Sequence, residues 1–126
     1  MFGRLRVASM PGDSAPTLFM MEVIEMEDKI LFEVRVNIAP EKEEEFNRWY
    51  NKIHVPAVLA VPGFKTGRRF QRISGDEIKY MALYELESLD ALRSEAFKRA
   101  RGWYEFEPYI LKQSWNVYRQ IYPEDK

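Results

Sequence analysis

The sequence predicts an α+β domain whose strands and helices follow the order β-α-β-β-α-β. Three patterns support this order. Apolar and polar residues alternate over Ile30–Ile38, as in a strand with one buried face. Apolar residues then recur at spacings of three and four over residues 46–61, as on one side of a helix. A β-hairpin pattern follows over residues 64–86, with its turn at residues 74–77.

The first helix is predicted to begin in the acidic run over residues 41–45, because carboxylates favour the positive end of a helix dipole. Pro56 removes one backbone donor inside this helix and disfavours a helical conformation at the residue before it. We therefore expect the helix to pause near His54 and Val55 and to restart with Pro56 in its first turn. Pro62 and Gly63 are expected to end it.

The remaining elements are a hairpin, a second helix and a last strand. The hairpin strands are predicted over residues 64–73 and 78–86. Ser88 is a good N-cap for a helix that ends at Gly102, and residues 114–122 alternate as a fourth strand. This order is the ferredoxin-like arrangement, a four-stranded antiparallel sheet with both helices on one face.

Length and composition limit the class of protein. The chain has 126 residues, 46% of them hydrophobic, which fits one domain with a real core. We expect residues 1–28 to form a poorly ordered N-terminal extension and residues 29–126 to form the domain. The sequence has no cysteine, which excludes disulfides, zinc fingers and a thiol nucleophile and suits a reducing cytoplasm. No apolar run is long enough to span a membrane, so we expect a cytoplasmic protein.

Charge and surface pattern predict the partners. The net charge is -1 and the third strand lacks the aromatic RNA-recognition pattern, so no nucleic acid is expected. Arg68 and Arg72 in the second strand are expected to pair with carboxylates across the sheet. The sheet face opposite the helices has to hold many aromatic and apolar side chains, and large apolar patches usually mark interfaces. We therefore predict a homodimer through the sheet face, in which two sheets close a shared barrel.

His54 is the single histidine and the side chain whose usual pKa lies nearest neutrality. It follows Tyr50 by four residues, at the rim of the apolar helix face and beside the break at Pro56. Two roles are open at this position: a structural histidine that binds free carbonyls, or a general acid/base that faces a pocket. Trp49 and Tyr50 favour the second role, because aromatic side chains line apolar ligand pockets.

Further residues complete the candidate site. Six are predicted to contact the substrate, as aromatic walls or as cations that hold a carboxylate or enolate: Trp49, Tyr50, Tyr84, Trp103, Arg35 and Arg69. One histidine without cysteine leaves too few ligands for a metal, and no phosphate-binding glycine loop or nucleophilic serine motif is present. We therefore predict no metal and no cofactor. Heme with an axial His54 is the one alternative, and no other residue indicates it.

The residues around His54 resemble a known superfamily. The resemblance is carried by these residues: Trp49, His54, Pro56, Pro62-Gly63-Phe64, Arg68-Arg69-Phe70, and the strand over residues 80–86 followed by Ser88. This pattern resembles the dimeric α+β barrel superfamily and, within it, EthD-like and antibiotic-biosynthesis-monooxygenase-like small proteins. The resemblance covers residues 29–122 and leaves out the first 28 residues.

The resemblance implies a cleft between helices and sheet, with His54 beside it. The superfamily includes cofactor-free monooxygenases, isomerases, polyketide cyclases, heme enzymes and stress-response proteins. We therefore predict a small homodimeric enzyme that acts on an aromatic, polyketide or lactone-like small molecule by metal-free acid/base chemistry. The alternative is a non-catalytic ligand-binding or stress-response dimer, in which His54 is bonded to backbone and no sizeable cavity opens beside it.

Overall fold

The computed structural model describes residues 29–124, so the predicted extension over residues 1–28 lies outside the described residues. The strands are β1 (Ile30–Ile38), β2 (Phe64–Gln71), β3 (Tyr80–Leu86) and β4 (Ile110–Arg119). They form one antiparallel sheet in the spatial order β2-β3-β1-β4. This order, with one helical connection after β1 and another after β3, confirms the predicted ferredoxin-like fold.

The first helical segment changes its winding in the middle. It consists of a 3₁₀ turn (Pro40–Lys42), α1 (Glu43–Trp49), a π-helical turn (Tyr50–His54) and α2 (Val55–Leu59). The N–H of Val55 donates to the carbonyl of Tyr50, five residues earlier, and Pro56 follows in the first turn of α2. Since Pro56 has no N–H to continue the α-helical ladder, a single wide turn at this place is physically reasonable. The predicted irregularity near His54 is therefore present as a change of winding, whereas the predicted pause is wrong, since His54 and Val55 both keep helical backbone angles.

The second helical segment is not the single helix predicted between Ser88 and Gly102. It is divided into a 3₁₀ turn (Leu89–Arg93) and α3 (Glu95–Ala100). Ser94 separates them, because its backbone is extended and its side chain accepts the N–H of Phe97 as an N-cap. Within the described residues, no helix is long and apolar enough to cross a membrane.

The strand ends differ from the predicted ends by a few residues. β4 begins at Ile110, four residues earlier than predicted, because it pairs with β1 along its whole length from Ile38↔Ile110 to Ile30↔Arg119. The hairpin strands are shorter than predicted, ending at Gln71 and restarting at Tyr80. Strand length is thus set by the partner strand rather than by local alternation alone.

The core lies between the helical segments and the sheet face that carries Phe32, Val34 and Val36. Phe46 of α1 is completely buried at its centre. Its ring lies 5.3 to 5.8 Å from four other aromatic rings, those of Trp49, Tyr50, Trp103 and Phe106. Aromatic contacts of this kind, at edge or tilted geometries, hold the first helical segment against the residues that precede β4.

The opposite sheet face, which we call the outer face, carries the alternate residues of each strand. Glu33 lies there and is only 6% exposed, since Arg35 and Asn116 both hydrogen-bond to its carboxylate, at 2.9 and 3.2 Å. Five large apolar side chains share this face at half-buried or exposed positions: Leu31, Phe70, Met81, Leu83 and Tyr118. The outer face therefore combines a bonded polar centre with an apolar surround.

Candidate functional site

His54 lies at the end of the π-helical turn, with its ring inside the helix–sheet junction. The side chain is only 6% exposed. Its ring stacks on Trp49 at a centroid distance of 4.7 Å and an interplanar angle of 14°, and meets the edge of Tyr50 at 4.9 Å. The structure thus brings together the three helix residues predicted for the site.

Burial determines the charge of His54. Burial, and secondarily the positive charge of Arg69, lower the pKa of the imidazole from 6.5 to about 4. The imidazole is therefore neutral at neutral pH in this closed junction, and residue type alone does not give its titration range. The Nδ1 atom is buried and has no hydrogen-bond partner among the described residues.

Two tyrosines lie next to His54 in the junction. Tyr50 and Tyr84 are each 1% exposed. Burial raises the pKa of Tyr50 to about 12 and raises the pKa of Tyr84 as well. The neighbouring Tyr50 phenol raises the pKa of Tyr84 further. The Tyr84 hydroxyl is a second buried atom without a partner within residues 29–124. Both phenols remain protonated at neutral pH, and the Tyr84 hydroxyl lies near enough to the Tyr50 phenol to influence its pKa.

Arg69 reaches the same place from β2. It pairs with Ala82 of the core face and turns towards the helix, where it donates to Asn51 Oδ1 at 2.9 Å and Asn47 Oδ1 at 2.8 Å. Its guanidinium lies over the Tyr50 ring at 4.1 Å, a cation–π contact. The Nε atom is buried without a partner in the described part of the chain, and burial lowers the pKa of Arg69.

Sequence reasoning missed the two asparagines that hold Arg69. Asn47 and Asn51 are four residues apart on the first helical segment and therefore share a side of it. That spacing can be read from the sequence, but it predicts a binding partner only when Arg69 is known to face the helix. Arg69 is thus fixed at both terminal nitrogens, with its planar face towards Tyr50.

Trp103 closes the junction from the other side. It is buried, and its ring centroid lies 5.9 Å from Tyr50 and 6.1 Å from His54. The next residue, Tyr104, has a φ of 52°, in the left-handed region that most residues avoid, and its ring lies 6.0 Å from Trp49. Gly102 before it has a φ of 111°, where glycine is favoured. The strained backbone at Tyr104 places an aromatic cover over the Trp49–His54 stack.

The free space at the junction is small, and a larger space lies outside it. A cavity of about 10 Å³, enough for one water, lies beside His54 and is lined by Phe32, Val34, Tyr50, His54, Val58, Tyr84, Phe97, Arg101, Gly102, Trp103 and Trp115. We call this cavity the inner pocket. A surface groove of about 410 Å³ shares part of its wall with the inner pocket. Trp115, which sequence reasoning also missed, belongs to both.

Arg35 has to be removed from the site predicted around His54. It alternates with the core residues Val34 and Val36 and lies on the outer face, where it is bonded to Glu33 at 2.9 Å. That hydrogen bond raises the pKa of Arg35. Arg35 is therefore part of the outer-face network, while Arg69 is the arginine that reaches the helix side.

The structure agrees in one respect with a catalytic His54 and in another with a non-catalytic dimer. His54 Nδ1 has no backbone partner within the described residues, as expected for a functional histidine, whereas the small inner pocket fits a non-catalytic dimer. No group of three or more metal-ligating side chains is found among residues 29–124. The groups that lie around Tyr50 are the imidazole of His54, the phenol of Tyr84 and the guanidinium of Arg69.

Residues 29–102 match the family described as "Domain of unknown function (DUF4286)". The chain belongs to the DUF4286 family. The matched residues include β1, the whole first helical segment, the hairpin and α3. They therefore include His54, Tyr84 and Arg69, and they end one residue before Trp103.

Solved structures of proteins from the superfamily that the sequence resembles share this fold. An EthD-family protein from Bacillus halodurans aligns with a TM-score of 0.57 at 12% identity, over 75% of this DUF4286 chain and 99% of its own. A dimeric ferredoxin-like protein from Thermobifida fusca aligns at 0.53 and 14%, over 74% and 92%. The heme-degrader MhuD from Mycobacterium tuberculosis, solved with two hemes in its active site, aligns at 0.57 and 17%, over 73% and 95%. No curated protein sequence matches the chain significantly.

Proposed function

We propose that this DUF4286 chain works as a homodimer that binds a small aromatic, polyketide or lactone-like molecule between helix and sheet and moves a proton on it. His54 is the acid/base group in this proposal. The observation that carries it is the convergence of three buried, unpartnered polar atoms on the junction around Tyr50: His54 Nδ1, the Tyr84 hydroxyl and Arg69 Nε, taken among the described residues.

An unpaired buried polar atom costs about 1–3 kcal/mol, so native proteins rarely keep several of them in one place. Here the surrounding side chains are aromatic and offer these atoms little compensation. A ligand that offers a donor or acceptor at each atom recovers this free energy on binding. Clusters of buried groups with shifted pKa values are also typical of functional sites.

The chemistry follows from the charges of the three groups. The cationic Arg69 and the protonated Tyr84 stabilise a negative oxygen, such as an enolate, by charge and by hydrogen bonding. The neutral imidazole of His54 accepts the proton that leaves carbon. A negative ligand oxygen nearby offsets the effect of Arg69 and raises the pKa of His54, which makes the imidazole a stronger base in the complex. Isomerisation, cyclisation, decarboxylation and cofactor-free oxygenation can all begin with this step.

A porphyrin does not fit the inner pocket as the structure has it. The volume beside His54 is about 10 Å³, so even a small aromatic ligand has to displace side chains of the junction, and a porphyrin has to displace many more of them. Trp49 and Tyr50 also occupy the space next to the imidazole. The heme bound by MhuD is therefore not carried over to this chain.

The homodimer is proposed on the outer face. The apolar side chains there, among them Leu83 and Tyr118, surround the bonded Glu33 and would be covered by a second sheet. The neighbour from Thermobifida fusca is described as dimeric, which supports a dimer of this fold. Light scattering is expected to give twice the 15.0 kDa of one chain, and Leu83→Glu is expected to lower this value. A monomer at micromolar concentration contradicts the shared barrel.

Proton abstraction is tested directly by deuterium exchange. Aromatic, polyketide and lactone compounds that raise the melting temperature of the protein are incubated with it in heavy water. Loss of an acidic C–H signal in proton NMR spectra reports the exchange. General acid/base groups contribute about 10²–10⁴-fold, so exchange is expected to fall by that factor in His54→Gln. Ile53→Gln, on the exposed side of the same turn, is the matched control and is expected to exchange normally.

The small inner pocket favours one second candidate, a non-catalytic ligand-binding or stress-response dimer. In that case compounds raise the melting temperature but none exchanges. Exchange that persists unchanged in folded His54→Gln contradicts the acid/base role.

A further inference from the structure

The groove outside the inner pocket has its own chemistry. It runs between the end of α3 and β4, and we call it the tryptophan groove; its lining residues are Lys98, Arg101, Gly102, Trp103, Glu107, Gln113 and Trp115. Arg101, Gly102, Trp103 and Trp115 also line the inner pocket. These shared residues are the partition between groove and inner pocket, so a ligand that fills both must pass them.

Two donors of this partition converge on one oxygen. The indole N–H of Trp103 donates to Gln113 Oε1 at 3.0 Å, and the indole N–H of Trp115 donates to the same oxygen at 2.9 Å. An indole nitrogen is a donor only, so the amide oxygen, and not its nitrogen, has to face the pair. The groove thus presents two directed donors at a single acceptor position.

The charged residues of the groove favour an anion at this position. Lys98 and Arg101 line the groove, where Glu107 is the one lining carboxylate, and Lys98 also pairs with the exposed Glu95 at 3.5 Å. Charge-assisted hydrogen bonds are roughly twice as strong as neutral ones. A carboxylate oxygen is therefore a better acceptor for the two indoles than the neutral amide of Gln113.

We propose that the tryptophan groove binds the carboxylate of the ligand, at the position that the Gln113 side-chain oxygen holds in this structure. The ligand class is a small carboxylic acid with an aromatic or other apolar body. The carboxylate takes the indole N–H groups of Trp103 and Trp115, with Lys98 and Arg101 nearby. The inner pocket measures only about 10 Å³ in this structure, so the body enters it only when the residues of the partition move apart. This inference rests on the proposed ligand site between helix and sheet and names its substrate class.

Two probes that share one body test the proposal on the full chain. Phenylacetate carries the carboxylate, and phenylacetamide carries a neutral amide of nearly the same shape. Calorimetric titration is expected to give a dissociation constant for phenylacetate about tenfold lower than for phenylacetamide, because charge-assisted bonds are stronger. In proton–nitrogen correlation spectra, the indole signals of Trp103 and Trp115, assigned with Trp→Phe variants, are expected to shift with phenylacetate.

Substitutions in the groove separate charge from packing. Lys98→Gln is expected to weaken phenylacetate binding several-fold and to leave phenylacetamide unchanged, since Lys98 lines the groove and not the inner pocket. Arg101→Gln, which changes the wall of both spaces, is expected to weaken phenylacetate binding more than phenylacetamide binding. Arg99→Gln removes an exposed charge beside Lys98 that does not line the groove, and it is the matched control. Gln113→Ala is expected to tighten phenylacetate binding, because it frees the two indole donors. Weaker binding in folded Gln113→Ala contradicts the displacement.

The outcomes distinguish this inference from the proposed function. Equal binding of acid and amide overturns the carboxylate site but leaves the pocket for an apolar body intact. Binding of neither probe, with no shift of any indole signal, counts against both. If the Lys98→Gln/Arg101→Gln double variant still prefers phenylacetate to phenylacetamide, the carboxylate does not bind in the tryptophan groove.

Discussion

Both faces of the sheet bury polar groups, but only on the outer face is the buried carboxylate hydrogen-bonded at both of its oxygens. On the outer face, the two carboxylate oxygens of Glu33 are bonded to Arg35 and Asn116. On the helix face, three polar atoms near Tyr50 have no partner within the described residues. Since buried polar groups are normally paired, the outer network is part of the fold, whereas the unpaired atoms of the helix face are the observation on which the proposed ligand site rests.

The largest effect is expected where the helix face depends on packing. Phe46→Ala removes the completely buried ring at the centre of the aromatic core and is expected to lower the free energy of unfolding by about 3–5 kcal/mol. Urea denaturation measures this loss. Leu111→Ala, an exposed position on β4, is the control and is expected to stay within about 0.5 kcal/mol of wild type. Equal losses in both variants contradict the assigned core.

The pH dependence of stability tests the buried imidazole. The pKa of His54 is lowered from 6.5 to about 4 in the folded state, so folding disfavours the protonated ring. The stability that this group contributes is complete above pH 6.5 and is lost as the pH falls towards 4. The full loss is about 3 kcal/mol. Unfolding of wild type and His54→Gln across this range is expected to show a smaller acid loss in the variant; parallel curves rule out the shift.

Breaking the outer network is expected to cost less. Glu33→Ala leaves Arg35 and Asn116 without their shared acceptor and is expected to destabilise the protein by about 1–3 kcal/mol. Glu85→Ala breaks only a partly exposed pair with Lys65 at 3.4 Å and is expected to cost about 0–1 kcal/mol. Chemical denaturation of both variants measures the difference. If the two losses agree, the Glu33 network does not stabilise the fold as described.

The smallest effects make the sharpest comparison, because two tyrosines of β3 point to the same side. Tyr80 donates to Glu43 and accepts from Asn47 at 3.1 Å, whereas the Tyr84 hydroxyl has no partner in the described part of the chain. Tyr80→Phe is expected to cost about 1 kcal/mol, and Tyr84→Phe about zero or a slight gain. Thermal unfolding compares the two variants. A larger loss in Tyr84→Phe shows that its hydroxyl is bonded in solution.

Local rules predicted where the first helical segment becomes irregular. An irregularity near His54 is predictable because Pro56 lacks an N–H, although the structure accommodates it by a π-helical turn and not by a break. The second helical segment was predicted less well. Ser94 has the right chemistry for a cap inside a helical pattern, but its choice of an extended backbone depends on how α3 packs.

The two arginines show where sequence reasoning stops. Arg35 alternates with apolar residues, so the pattern already indicates that it lies opposite the helices. Arg69 lies between Arg68 and Phe70, where no such alternation exists. Its side is decided by the pairing of Arg69 with Ala82 in β3 and by the asparagines of α1 and the π-helical turn.

The sequence by itself determined the order of the elements, the irregularity near His54, and the aromatic character of its surroundings, because these depend on residues close together in the chain. Only the tertiary structure decided that Arg69 joins His54 and Tyr84, and that Gln113 holds the indoles of Trp103 and Trp115. Such contacts depend on strand register and helix packing. Those bring together residues that are far apart in sequence, and local spacing does not fix them.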